Sequence, residues 1–255
     1  MVERARKSDF GCTPSSGAGT QGNVPASSKQ VISSVWIVVP AYNEQSTIQQ
    51  VVSGLRRFCP NIAVVDDCST DLTAGRAHSA GAYVVRHPIN LGQGASLQTG
   101  IDFALLNGAS CIVTFDADLQ HRAEDIPALL KALRETGVDF ALGSRFLGNA
   151  TNIDVSRKLL LKAAVLFTRL TTGLRLTDAH NGMRAMTRRG ARVLRIRQNR
   201  MAHASEILQQ IAKSELPYVE VPVTVEYTSY SKAKGQGLSN SVNIVLELLS
   251  GALQR

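Results

Sequence analysis

Residues 113–121, VTFDADLQH, end an apolar run in two aspartates one residue apart, Asp116 and Asp118, with Gln120 and His121 close behind. Carboxylates at that spacing repel each other unless a cation or water lies between them. The stretch is therefore a solvated turn or a metal site. Other ionisable residues also follow apolar runs: Glu44 after VWIVVP, Asp66 and Asp67 after IAVV, and Arg145 after VDFALGS. What joins them is decided by the elements that carry them.

From Val35 the pattern alternates. VWIVVP is a short apolar run closed by Pro40, as suits a buried strand. NEQSTIQQVVSGLRRF predicts a helix with Ile48, Val51, Val52 and Leu55 on one face and Asn43 as its cap. IAVVDD, AYVVRH, CIVTFDAD and VDFALGSR read as further strands. STDLTAGRAHSAG, GQGASLQTGIDFALLNG and AEDIPALLKALRETG read as the helices between them, with Asp71 at a helix start. Alternating strands and helices imply an α/β fold with a mainly parallel sheet and helices on both faces. Ligands of such sheets bind beyond the carboxyl ends of the strands. Tyr42 to Glu44, Asp66 and Asp67, Asp116 and Asp118, and Arg145 all fall there, and four clusters at one edge describe a site.

The second half departs from this pattern. VSRKLLLKAAVLFTRLTTG predicts a helix, LRLTDAHNGMRAMT a loop, and residues 188–197 and 203–213 two more helices. YVEVPVTVEYT alternates and contains Pro222, which marks an edge strand. SYSKAKGQGLSN reads as a flexible basic loop, and residues 238–255 as a C-terminal amphipathic helix. Residues 1–33 are rich in Ser, Gly and Thr and lack an apolar core, so they read as a disordered segment rather than a signal peptide. The central domain is then 34–237. The formal net charge of +8 points to anionic partners, while only 5% aromatic residues, none interleaved with the basic ones, argues against nucleic acid. Cys12, Cys59, Cys68 and Cys111 make no CxxC pair and suit a reducing compartment.

VVPAYNE, VVDDCSTD, NLGQGASLQTG, FDADLQH and GSR, in this order, resemble the family 2 glycosyltransferases of GT-A fold. The dolichyl- or polyprenyl-phosphate mannosyltransferase subgroup is the most similar, and the resemblance spans roughly residues 35 to 240. It implies a nucleotide diphosphate sugar as donor, inverting transfer of a hexose, and acid-held Mg2+ or Mn2+ bridging the diphosphate. On this resemblance Asp118 and Gln120 are metal ligands and Asp116 meets the ribose. Pro40, Tyr42, Glu44, Asp66, Asp67, Gly94, Ala117 and Lys232 line the donor site, with one of Asp66 and Asp67 turned inward as scaffold. Gly92 and Gly94 leave room for a close backbone approach, or form a simple turn. Arg145, Arg157 and Arg184 face the acceptor, since arginine's planar fork binds phosphate oxygens bidentately. TDAHNGMRAM matches the family's Asp-x-x-x-Gly-aromatic-Arg segment with Met183 at the aromatic position. Lys232 and Lys234 lie in a basic loop that lacks the family's usual arginine. Asp178 and Glu206 are the candidate catalytic bases if the acceptor is a hydroxyl, or else salt-bridge partners of nearby arginines. His203 reads as a packing residue.

The implied acceptor is a membrane lipid such as polyprenyl phosphate or a lipid-linked glycan. The chain has no run of ~18 apolar residues to span a bilayer. It is expected in the cytoplasm, peripherally bound to the inner face of the membrane. Its contacts there would be the apolar face at 155–172 and a basic cluster formed by Arg184, Arg188, Arg189, Arg192, Arg195, Arg197 and Arg200. The same apolar faces would suit a homodimer. The competing readings are a sugar nucleotidyltransferase, which needs a Gly-rich phosphate loop where this chain has PAYNE, a nucleotide-sugar binding module, and a transferase with a soluble polysaccharide acceptor.

Overall fold

The computed structural model describes residues 34–151, 153, 155–198 and 202–227, with the side chains of 156 and 157 left out. The N-terminal segment 1–33, Arg200, Lys232, Lys234, the C-terminal helix 238–255 and the side chain of Arg157 lie outside the described residues.

A seven-stranded mixed sheet forms the centre. Its strands are β1 (Val35–Ala41), β2 (Ile62–Asp66), β3 (Tyr83–Arg86), β4 (Cys111–Thr114), β5 (Phe140–Thr151), β6 (Arg184–Thr187) and β7 (Tyr218–Glu226). They lie in the order β3-β2-β1-β4-β6-β5-β7. All neighbouring pairs are parallel except the two made by β6, which runs antiparallel to both β4 and β5. The helices are α1 (Ile48–Leu55), α2 (Thr73–Ser79), α3 (Gln93–Leu106), α4 (Ile126–Thr136), α5 (Val155–Thr172), α6 (Arg188–Val193) and α7 (Ala202–Ser214).

Period-two alternation sorts β1 between two cores. Ile37, Val39 and Ala41 pack with Ile48, Val52, Leu55 and Leu129 on the face covered by α1, α2 and α4. Trp36 and Val38 pack with Leu97, Ile101, Val165 and Ile207 on the opposite face, under α3, α5, α6 and α7. Burial on both faces explains why the inner strands read as unbroken apolar runs. Cys111 is fully buried, and burial pushes its thiol up to about 12, so it behaves as a small hydrophobe.

Three expectations change. TDAHNGMRAMT is not simply a loop, because its last residues form β6, inserted between β4 and β5. That strand is only four residues long, and its alternation is hidden because Arg184 and Thr187 are buried along with Ala185 and Met186. Pro40 does not end β1: it sits buried within the strand, opposite Val65. Asn43 does not cap α1, whose N-cap is Thr47. Asn43 instead adopts a left-handed φ of 52° and ties two loops together.

Candidate active site

The carboxyl edge of β1, β2 and β4 is assembled by hydrogen bonds between its loops. Asn43 N–H donates to Ser69 Oγ at 2.9 Å, Thr70 N–H donates to Asn43 Oδ1 at 3.0 Å, and Glu44 N–H donates to Thr73 Oγ1 at 2.8 Å. Tyr42 stays largely exposed at the rim, whereas Glu44 is buried and its carboxylate accepts from Thr47 Oγ1 at 3.0 Å. Glu44 therefore anchors a first turn, and its charge also reaches Asp118.

Asp66 and Asp67 both turn inward, not one of the two. Asp67 accepts from Leu91 N–H at 2.9 Å, from Gly92 N–H at 2.7 Å and from His87 Nδ1 at 2.8 Å. His87 Nε2 in turn lies 3.0 Å from Thr99 Oγ1. Asp66 takes Arg86 Nε at 2.8 Å and Ser69 N–H at 3.3 Å, and its side chain is 0% exposed. The pair is thus scaffold: it holds the loop that leads into α3. Gly94 belongs to the scaffold as well. A Cβ there would lie 2.1 Å from Gln198 O, so the close approach is made by the chain itself rather than by a phosphate.

Beyond β4 the chain turns sharply, with Leu119 at a φ of 60°, and this brings Gln120 N–H to 3.1 Å from Asp118 Oδ1. Asp116 Oδ1 accepts from Gln93 Nε2 at 3.2 Å, and Asp116 Oδ2 lies 3.3 Å from His121 Nε2. Gly182, at the entry to β6, is required here: a Cβ would fall 1.8 Å from Asp116 Oδ2. The two aspartates titrate in opposite directions. Burial alone would raise Asp116, but its hydrogen bond to His121 and the charges of His121, Arg184 and His203 hold it below the usual carboxylate range. Burial, followed by the negative charges of Asp116 and Glu44, pushes Asp118 up to about 6. Asp118 is therefore the carboxylate whose charge the protein leaves uncompensated.

That imbalance is what a cation would relieve, and the Asp118 carboxylate and the Gln120 amide fit a hard divalent ion. Among the described residues no three acidic, His or Cys side chains converge into a closed metal site. Two protein oxygens would leave the remaining positions to a diphosphate and water.

Across the cleft, Arg145 is buried. Its Nε donates to Asp178 Oδ2 at 2.6 Å, its Nη1 to Tyr227 Oη at 2.6 Å and its Nη2 to His180 O. Asp178 also accepts from Arg145 N–H at 3.0 Å, and its side chain is 0% exposed. Here Asp178 takes the salt-bridge role and is not presented as a base. Glu206 is a brace too: its Oε2 accepts from Arg197 N–H at 2.9 Å and Gln198 N–H at 2.8 Å. Arg184 is enclosed between the charges of Asp116 and Asp178, and burial lowers its affinity for a proton from the ordinary arginine value. No hydrogen bond from its guanidinium is formed among the described residues. His203 is buried on α7, as a packing residue should be, yet its charge is felt by Asp116. His180 is pushed down to about 4 by burial and is neutral at pH 7, with Nε2 unpartnered.

Sequence reasoning missed Gln93 and Tyr227, gave His121 no role, and had Gly182 only as the glycine of the TDAHNGMRAM match. Of the residues without a role, His121 carried a signal, its place directly after DADLQ. The basic cluster also changes character. Arg188 Nη1 donates to Ala109 O at 2.8 Å and Arg189 forms an ion pair with Asp139, so these residues tie α6 to the core.

A mostly parallel sheet flanked by helices, with its acids gathered at the carboxyl edge, is the GT-A fold. Glucosyl-3-phosphoglycerate synthase from Mycobacterium tuberculosis, crystallised with Mg2+ and UDP, superposes with a TM-score of 0.66 at 20% identity, over 85% of this chain and 78% of that one. The sequence profile of Glycosyl transferase family 2 matches residues 36–215, and the chain belongs to that family. It is a glycosyltransferase. The UDP-N-acetylglucosamine–dolichyl-phosphate N-acetylglucosaminyltransferase of Methanococcus voltae is 30% identical over 84% of this chain and 94% of its own length. The undecaprenyl-phosphate mannosyltransferase of Micrococcus luteus is 30% identical over 80% and 88%. The family excludes the sugar nucleotidyltransferase and binding-module readings.

Proposed function

We propose that this enzyme moves a hexose, with inversion, from a nucleotide diphosphate sugar to a polyprenyl phosphate or related lipid-linked acceptor at the inner face of the membrane. The observation that carries the reading is one sheet edge that holds both an uncompensated carboxylate, Asp118, and a buried arginine, Arg184, set between the charges of Asp116 and Asp178. Asp118 and Gln120 would hold Mg2+ or Mn2+, which would supply charge neutralisation for the leaving diphosphate. Asp116, fixed by Gln93 and His121, stays ionised to accept from the donor's ribose hydroxyls. Arg184 draws the acceptor phosphate toward the anomeric carbon from the face opposite the nucleotide, and Arg157 is kept as a second acceptor residue on the resemblance alone. A phosphate acceptor arrives as an anion and needs no base. This agrees with Asp178 and Glu206 both serving as braces. The dolichyl- and undecaprenyl-phosphate specificities of the two relatives support the same acceptor class.

The surface of α5 supports the membrane placement. Val155, Leu159, Leu166 and Leu170 are exposed along one stripe, and Lys158 and Lys162 stand beside it with no acidic residue anywhere on the helix. A cavity of about 500 Å³ lies between this helix and Phe146 and Thr177, the chain neighbours of Arg145 and Asp178, and is lined also by Lys158, Lys162, Val165, Leu166 and Arg169. No helix among the described residues is long and apolar enough to cross a membrane. In this reading the protein attaches through the exposed face of α5.

The test is a panel of nucleotide sugars with Mn2+ or Mg2+, with and without an isoprenyl phosphate. The expected result is nucleoside diphosphate release and a glycosylated lipid phosphate. Transfer to a soluble polysaccharide, with the lipid phosphate left untouched, would replace this acceptor.

A further inference from the structure

β7 is an edge strand, yet its last residues reach both sides of the cleft. On the donor side Thr224 N–H donates to Asp125 Oδ2 at 2.7 Å and Glu226 N–H to Gln120 O at 2.8 Å. The Glu226 carboxylate takes Arg122 Nε at 2.7 Å, and Val225 forms an isolated antiparallel bridge with His121. These contacts hold residues 120–125, the loop that carries Gln120. On the other side the Tyr227 hydroxyl accepts from Arg145 Nη1 at 2.6 Å, and Tyr227 N–H donates to Thr151 O at 3.3 Å.

The β5–β7 ladder breaks between the two sets. Its partners run to Ser144 opposite Pro222 and resume at Asn149 opposite Thr224. Residues 145–148 thus face Val223 alone, and Pro222, which has no N–H, sits where the pairing stops. The bulge carries Arg145 off the ladder toward Asp178, and Tyr227 meets it from beyond the break.

We infer that Val223–Tyr227 is a strut that sets the Gln120 loop and Arg145 in register, with Glu226 and Tyr227 as positioning residues for transfer. Neither acts on substrate directly: Glu226 works through the Gln120 loop, Tyr227 through Arg145. The inference rests on the reading that the first side holds the donor and the second faces the acceptor. Because both sides hang from one segment, ordering either one changes the affinity of the other, and the effect is reciprocal.

Two variants separate a strut from local packing. Tyr227→Phe removes one hydroxyl and keeps the ring, and Arg122→Glu reverses the exposed partner of Glu226. Tyr227→Phe should raise the KM for an isoprenyl phosphate about tenfold, the loss of one charge-assisted hydrogen bond, and should raise the donor KM by a smaller factor through the shared segment. Arg122→Glu should raise the donor KM, and the swap Arg122→Glu with Glu226→Arg should restore it. In the ligand-free protein, Arg122→Glu should also speed amide exchange across the cleft at residues 177–182. KM effects of each variant confined to its own side of the cleft, or exchange changes confined to 120–126 and 223–227, would overturn the strut. If the wild-type protein releases nucleoside diphosphate yet glycosylates no isoprenyl phosphate, the acceptor reading fails, and the exchange experiment still decides the strut.

Discussion

The donor side of the cleft holds its buried charges through short tethers, and the acceptor side through long ones. Asp66 and Asp67 are satisfied by Ser69, Arg86, His87, Leu91 and Gly92, at most 25 residues away. Arg145 meets Asp178 33 residues on and Tyr227 82 residues on, while Glu220, 42 residues beyond Asp178, holds the backbone there. An anion fixed by nearby backbone N–H groups keeps its partners even when the rest of the cleft loosens. A buried Arg–Asp pair is different, because removing either member strands the other's charge. Substitutions in the donor half should therefore alter chemistry on an intact fold, and those in the acceptor half should alter both.

The largest effect that can break this comparison is at Asp118. Asp118→Ala, or chelation of the divalent ion, should lower transfer at least about a thousandfold, since several kcal/mol of leaving-group stabilisation is lost. The melting temperature should not fall. Full transfer activity in a chelated sample would end the metal reading. A melting temperature that dropped with Asp118→Ala would show that the donor side is no more independent than the acceptor side.

The acceptor side supplies the second pair of variants. Arg145→Ala leaves Asp178 buried without its cation and should destabilise the protein by about 3–5 kcal/mol in urea or thermal unfolding. Arg184→Ala removes a guanidinium that makes no hydrogen bond among the described residues. It should cost less stability and raise the acceptor KM about tenfold or more. Equal destabilisation by the two substitutions would show Arg184 to be a brace like Arg145.

The same contrast governs what could be read in advance. The donor half was legible because each apolar run, each helix face and each edge acid lies within a local strand–helix repeat, so DADLQ falls after β4 without any long-range information. In the acceptor half, β6 is four residues long with polar side chains turned into the core, and no local period announces it. Asp178 and Glu206 read equally well as bases or braces, because their partners come from Arg145 and from the backbone at 197–198. Gly182 stood in the TDAHNGMRAM match, but nothing there tied it to Asp116. Only the folded chain sets it against Asp116, 66 residues earlier.

A smaller effect tests the raised Asp118 carboxyl. Its folded value of about 6 lies above the ordinary 3.8. Below pH 3.8 both folded and unfolded states hold the proton, and no difference arises. Between about 4 and 6 the unfolded chain ionises first, so stability falls as pH rises, and above 6 the cost is constant. Asp118→Asn should therefore stabilise the metal-free protein at pH 7 by on the order of 1–3 kcal/mol, a gain that disappears near pH 4. Metal affinity should weaken as pH falls through about 6, because the proton then competes for the same oxygen. An Asn variant no more stable than wild type at pH 7 would remove the claim that this charge is uncompensated.

The mildest variants lie on α5, away from the donor-side residues Asp118 and Gln120. Its exposed leucines and unneutralised lysines form adjacent rows, so a bilayer can take both at once, the hydrocarbon on one row and anionic headgroups on the other. Each lysine near an anionic surface contributes roughly 1 kcal/mol, screened by salt. The protein should sediment with anionic vesicles at low salt, come off at high salt and ignore neutral vesicles. Lys158→Glu with Lys162→Glu should weaken that binding about tenfold or more. The pair stands apart from Asp118 and Gln120, so nucleoside diphosphate release into water should not change. Arg188 and Arg189 are unsuitable for this test because reversing them would break contacts to Ala109 and Asp139. Equal binding to neutral and anionic vesicles, or none to either, would detach α5 from the membrane. Concentration-dependent dimerisation lost in Leu159→Glu would then assign the exposed stripe to a second copy of the chain.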